Sequence, residues 1–231
     1  NPTPTLFTVP LFYFSLWQYY TGKNWGLPVA AACLGLSIQF ELFFIYLIPI
    51  SILAWVVLAP KLPNLKLVFW SLCAFVLTMS TMIATEIKFN FGGVKAILSS
   101  FGQGGGHASL ATTSQSFFER FWQVFAYNLW PQQLALGKLI GVAIVGFLIL
   151  QVIRNRKNKG LSKALLFLLF YLFSSSIMLL QGYHAAPWFL IGVPPAVILA
   201  AGYVLSQIRP QVLTLPLTLF IVLNNLSAIW Q

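Results

Sequence analysis

Long apolar runs separated by short segments that hold nearly all the charge constrain this chain more than any other feature. A hydrocarbon core of about 30 Å needs roughly 20 helical residues, or a few fewer where the flanks can snorkel. Runs near 5–20, 65–85, 138–153, 164–182, 188–206 and 212–230 suit that need. The stretch 26–59 is too long for one span, since a single helix over it would extend roughly 50 Å. It is predicted to fold back as two short spans with a turn near Gln39 to Leu42. The fold class read from this pattern is an all-α membrane protein, a polytopic helical bundle of about eight transmembrane helices with one external loop carrying short amphipathic helices. Three regions follow: 1–85 with the N-terminal transmembrane helices and a short helical hairpin, 86–137 as the external loop with interfacial helices, and 138–231 with the C-terminal transmembrane helices.

Composition supports a lipid environment. With 59% of residues hydrophobic and 7% charged, a water-soluble globule of this size would lack the polar groups to cover its surface. The formal net charge of +10 would suggest nucleic acid in a soluble domain. Here Lys and Arg fall between apolar runs, where they set topology, so no nucleic-acid partner is expected. Cys33 and Cys73 both lie inside apolar runs and read as small buried hydrophobes, not as a disulfide or a metal pair. The chain starts at Asn1 without the charged n-region of a signal peptide, and is expected to be an internal portion of a longer protein.

Orientation follows from the basic loop Arg154 to Lys163, taken as cytoplasmic. Lys23, Lys61, Lys66 and Arg209 then fall on the same side, while Lys88, Lys95, Arg120 and Lys138 fall outside together with the three acids. A single span over 26–59 would instead carry Lys23 outside, so the charge balance favours the hairpin. The protein is placed as a multi-pass integral membrane protein, in the plasma (inner) membrane if bacterial, with its active face external.

The external loop has a pattern of its own. Val94, Ile97, Leu98 and Phe101 recur at the spacing of one helical face. Gly102 to His107 and the Ser/Thr-rich Ser109 to Ser116 have loop composition. Phe117, Phe118, Phe121, Trp122 and Phe125 form a second stripe, which Ser116 and Glu119 are predicted to open as a capping box.

Few residues can carry chemistry. Glu41 is the only charge in the run 26–59, and an acid there is either a turn residue facing water or a group kept for pairing, ion handling or catalysis. Gln39 could support it by hydrogen bonding. Glu86, Lys88 and Asn90 follow the span that ends at Thr85, with Glu86 and Asn90 on one face if the helix continues. Lys88 and Lys95 suit an anionic headgroup or a lipid-linked phosphate, and Arg120 suits lipid phosphates. The glycine tract before His107 lacks the Lys-Ser/Thr ending of a phosphate-binding loop and reads as a flexible segment. His107 and His184 have no second ligand at metal spacing, although His184, in the turn Gly182 to Trp188, could face the same external cavity as Glu41. No cofactor is predicted; a divalent metal is left open without a site for it. Pro49, Pro194, Pro195 and Pro216 are expected to kink spans, and Ser174 to Ser176 to bond between helices.

Several stretches together resemble a known family. These are Asn1-Pro2 running into an apolar helix; Leu34-Gly35-Leu36 with Gln39-Phe40-Glu41 and an apolar continuation to Pro49; the segment Glu86 to Phe101; and Tyr183-His184 followed by a span with Pro194-Pro195. They resemble the polyprenyl-phosphate-sugar-dependent C-type membrane glycosyltransferases, in particular the dolichyl-phosphate-mannose protein mannosyltransferase-like family. The resemblance implies transfer of a sugar from a lipid-linked donor to a lipid, glycan or protein acceptor on the non-cytoplasmic face, assisted by an acid in the family's first external loop. That loop would lie upstream of Asn1, so the catalytic residue is expected outside this chain. Glu41 departs from the His or Lys common at its position and is not carried into the acid's role. The resemblance makes Lys88, Lys95 and Arg120 contacts for the phosphate leaving group, with His184 in the same cavity. The alternative reading is a transporter or channel subunit with Glu41 in its pathway.

Overall fold

The computed structural model describes residues 4–58, 61–102, 109–175, 190, 192–207, 216 and 218–219. All regular structure among these residues is helical: α1 Thr5–Tyr20, α2 Gly26–Phe40, a 3-10 helix Leu42–Tyr46, α3 Leu47–Leu58, α4 Leu65–Thr78, α5 Ser80–Lys88, α6 Gly92–Gly102, α7 Leu110–Leu129, α8 Leu134–Arg154, α9 Lys159–Phe173 and α10 Pro194–Ser206. The chain divides into two compact units, one of residues 1–114 with 174–192 and one of residues 115–173 with 193–231.

The first unit is built on α2, which packs along α1 and α4. Glycine permits both close approaches. A Cβ at Gly26 would fall on the α1 backbone, 3.1 Å from the Tyr19 Cα, and one at Gly35 would reach the Phe75 carbonyl at 3.0 Å. The Thr8 and Ser37 hydroxyls, 2.7 Å apart, join α1 to α2, and Ser37 also donates back to the Cys33 carbonyl at 2.8 Å. Such polar links between apolar helices are the expected glue where apolar surfaces have no preference for one another over lipid.

The long run 26–59 breaks where it was predicted to. Glu41 leaves the helical region (φ −154°, ψ 107°) and the 3-10 helix starts after it. The chain then returns: the Tyr20 hydroxyl donates to the Ser51 carbonyl at 3.3 Å, and the Tyr19 hydroxyl to the Lys61 carbonyl at 2.6 Å. Pro49 stands in the first turn of α3, where a missing N–H costs nothing, so it starts that helix and does not kink it.

The run 65–85 is helical but bent by 60° between α4 and α5. The Thr78 hydroxyl donates back to the carbonyls of Ala74 at 3.0 Å and Phe75 at 2.9 Å, and such back-bonding bends helices. Asn64 caps the start of α4, accepting from the Leu67 amide at 2.8 Å.

In the second unit Phe121 is fully buried, stacked on Phe117 and Phe173 with centroids 6.0 and 5.1 Å away. Gly137 and Gly141 bring α8 against Ala126 and Phe125 of α7, while α9 and α10 pack on α8. The aromatic stripe thus faces protein, with Phe118 left on the outside. Its helix starts earlier than predicted: Leu110 opens α7, and the Thr112 amide bonds the Ser109 hydroxyl at 3.1 Å. Ser116 and Glu119 therefore lie inside a helix and form no capping box, and the stretch Ser109 to Ser116 is largely helical. Ser109 supplies a cap at the front, and Thr112 is exposed behind it.

Two more expectations change. Pro194 and Pro195 open α10 instead of kinking it, as the first helical turn has no intrahelical use for their N–H groups. Cys73 is exposed, while Cys33 is buried. Ser174 does bond across helices, to the Tyr46 side chain. The run 212–230 lies almost wholly outside the described residues.

About eight full-length spans are not supported. Among the described residues α8 is the one helix long and apolar enough to cross a bilayer by itself, and the bent pair α4 and α5 would be a second if counted as one span. Gly26–Phe40, Phe44–Leu58 and Pro194–Ser206 are apolar but shorter. The runs 65–85 and 188–206 read as continuous helices, whereas the first bends after Thr78 and α10 begins only at Pro194. The outer surface is nonetheless strongly apolar. Val56, Phe69, Trp70 and Leu77 on α3 and α4, Leu139 and Leu150 on α8, and Ile198 and Leu199 on α10 are all exposed, Leu77 by 74%.

Candidate functional site

The candidate polar residues of the first unit fall at and beyond the end of α2. Gln39 donates from Nε2 to the Thr81 hydroxyl at 2.7 Å, which ties the last turn of α2 to the first turn of α5. Thr81 was not singled out in the sequence. Its only signal is that α5 places a hydroxyl one helical turn before Thr85, a spacing that ordinary helix packing also produces.

Glu41 is half-buried at the break itself. Its amide bonds the Ser37 carbonyl and its carbonyl accepts from the Phe44 amide, both at 3.0 Å, so the backbone is satisfied on both sides of the break. Gln39 turns to Thr81 and does not bond the Glu41 carboxylate. The pairing suggested for Gln39 is thus replaced by one that crosses between helices.

Glu86 and Asn90 do not share a continuing helical face. The helix ends at Lys88, and Asn90 and Phe91 adopt left-handed backbone conformations with φ of 53° and 59°. This turn aims α6 back at α5. The Phe91 amide bonds the Glu86 carbonyl at 2.7 Å, and Glu86 Oε2 accepts from the Val94 amide at 3.2 Å. Glu86 thus satisfies one of the free amides at the start of α6, where a negative charge also opposes the helix dipole favourably. A side chain at Gly93 would collide with that carboxylate.

Lys88 lies over the Phe89 ring, 5.5 Å from its centroid, a cation–π contact worth about 0.5–1 kcal/mol at an exposed site. Lys95 is exposed in the first turn of α6. The turn therefore carries a built acidic cap on one residue and cations on Lys88 and Lys95. Arg120 belongs to the second unit, where its guanidinium donates to Gln123 Oε1 at 3.2 Å and Gln123 in turn donates to Glu119 at 3.4 Å. His107 and His184 lie outside the described residues. No group of three or more His, Cys, Asp or Glu that could hold a metal occurs among the described residues.

Comparison with known proteins finds no matching family model, no matching curated protein and no matching solved structure.

Proposed function

We propose that the chain is part of a multi-pass membrane glycosyltransferase that moves a sugar from a polyprenyl-phosphate carrier to an acceptor on the non-cytoplasmic face. The observation that carries this reading is the apolar outer surface of short helices with a polar end around Gln39, Thr81, Glu86 and Lys88. Contiguous exposed apolar faces of this extent suit lipid, since fully burying one large apolar side chain is worth about 1.5–3 kcal/mol and a soluble domain would not forgo it repeatedly. A lipid-linked donor has the same division, an isoprenoid tail for the apolar face and a phosphate for the cations at its edge.

In that reaction an acceptor hydroxyl attacks the anomeric carbon, the carbon–oxygen bond to phosphate breaks and polyprenyl phosphate leaves. Lys88 and Lys95 would stabilise the charge that develops on the phosphate. The reaction also needs a general base to take the acceptor proton. The experiment is sugar transfer from a radiolabelled polyprenyl-phosphate sugar by the full protein in proteoliposomes. Transfer should fall at least about tenfold in Lys88→Ala, one lost charge contact in the transition state. No transfer from any such donor overturns the reading, and unchanged transfer in both Lys88→Ala and Lys95→Ala removes the phosphate contacts.

A second reading is favoured by Glu41. An acid at the junction of two opposed short helices matches the broken helices of transport sites. Solute or ion flux in proteoliposomes that is lost in Glu41→Gln would support it; sugar transfer without flux would exclude it.

A further inference from the structure

The first unit carries an apolar groove of about 510 Å³ between α2 and α4, lined among others by Trp25, Pro28, Trp70, Cys73 and Leu77. It starts beside Asn24 and Leu67 and runs to Leu77, roughly 15 Å along α4 at 1.5 Å per residue. That is the depth of one bilayer leaflet, half of an approximately 30 Å core.

Two exposed cations adjoin its lining in the chain. Lys23 immediately precedes Asn24, Lys66 immediately precedes Leu67, and both are exposed. Their own unit sets no acid against them: its two acids are Glu41 at the far end of α2 and Glu86 at the α5–α6 turn. The first unit therefore leaves Lys23 and Lys66 to an anion from outside it. The groove's own lining supplies Trp25 and Trp70, amphipathic rings suited to the headgroup boundary.

We infer that this groove seats one acyl chain of an anionic phospholipid whose phosphate is held by Lys23 and Lys66. The site rests on the membrane reading but is independent of sugar transfer. Its chemistry requires both parts together, an apolar slot one leaflet deep and two cations that adjoin its lining in the chain without an acid of their own unit set against them. A zwitterionic lipid offers the same chain and the same phosphate, but its own cation cancels most of the attraction.

The test is tryptophan quenching in the full protein reconstituted with phosphatidylglycerol or phosphatidylcholine carrying the same brominated chains. Each Lys near a membrane surface contributes enough attraction to give about a fivefold preference, so phosphatidylglycerol should occupy the groove on the order of tenfold more tightly. The preference should disappear in Lys23→Ala/Lys66→Ala, with quenching by phosphatidylcholine unchanged. Trp25→Phe/Trp70→Phe should remove the headgroup-dependent part of the quenching. Equal quenching by the two lipids in the unaltered protein, or a preference that survives either double substitution, overturns the site. Absence of quenching by either lipid overturns the membrane reading as well.

Discussion

The Tyr19 hydroxyl reaches the Lys61 backbone carbonyl at 2.6 Å, across a sequence separation that contains all of α2 and α3. One hydrogen bond thereby records the path of the chain. Because α1 ends at Tyr20 and α2 leaves from Gly26, the chain can be back beside Tyr19 at Lys61 only if α3 retraces the direction of α2. The basic residues Lys23, Lys61 and Lys66 then gather at one end of the unit, and Gln39 and Glu41 at the other.

On the proposed membrane reading, this arrangement has a direct consequence for labelling from the two sides of a bilayer. Single cysteines at Lys23→Cys and Lys61→Cys should react with an impermeant maleimide from the same side, and Glu41→Cys from the opposite one. Reaction of Lys23→Cys and Lys61→Cys from opposite sides in sealed vesicles contradicts the reversal at Glu41, and reaction of Lys23→Cys and Glu41→Cys from one side contradicts the membrane crossing of α2. The native thiols suit this design poorly unless removed first, because Cys73 is exposed.

Helix contact in the first unit should be most sensitive at Gly26. An added Cβ there meets the backbone of α1, which cannot rotate away. Gly26→Ala is expected to destabilise the protein by about 1–3 kcal/mol, the usual cost of overpacking. Gly146→Ala, in the middle of α8 with nothing within 4 Å of the new Cβ, should be neutral or stabilising by up to about 1 kcal/mol. Denaturation in detergent, compared for the two variants, measures the contrast.

The Glu86 cap predicts a local effect. Glu86→Ala should destabilise the first turn of α6 by about 0.5–2 kcal/mol, visible as faster hydrogen exchange at the Val94 amide with little change in α1 and α2. Unaltered exchange at Val94 would show that the carboxylate is not its partner.

In the second unit Phe121→Ala empties the centre of the ring cluster and should cost about 3–5 kcal/mol. The neighbouring Phe118, 44% exposed, should tolerate Ala at a much smaller cost, about 1 kcal/mol or less. Thermal unfolding of the two variants tests which face of α7 is packed.

Periodicity and composition were sufficient for much of this architecture. The run 5–20 is α1 as read, the amphipathic spacing of Val94 to Phe101 is α6, and the lone acid in 26–59 marked its break. Long apolar runs, helical stripes and an isolated charge each have a local physical cost, so a linear chain discloses them. The interruptions at Thr78 and Pro194 were less legible. Threonine and proline are common in helices that cross membranes, and whether a hydroxyl bends a helix or a proline begins one depends on the partners around it.

The candidate site divides in the same way. Residue type alone identified Glu41, Glu86 and Lys88 as costly or reactive groups at helix ends. Tertiary structure decided what they are attached to: Gln39 to Thr81 instead of Glu41, and Glu86 to the amide of Val94. It also decided that Asn24 and Leu67, far apart in sequence and next in the chain to Lys23 and Lys66, line one groove. The sequence by itself determined which segments must be helical and apolar, because every buried or lipid-facing backbone group has to find its partner within the helix. The pairing of side chains was left to the fold, because a hydrogen bond or ion pair depends on a few ångströms of separation between elements, and no local pattern records that distance.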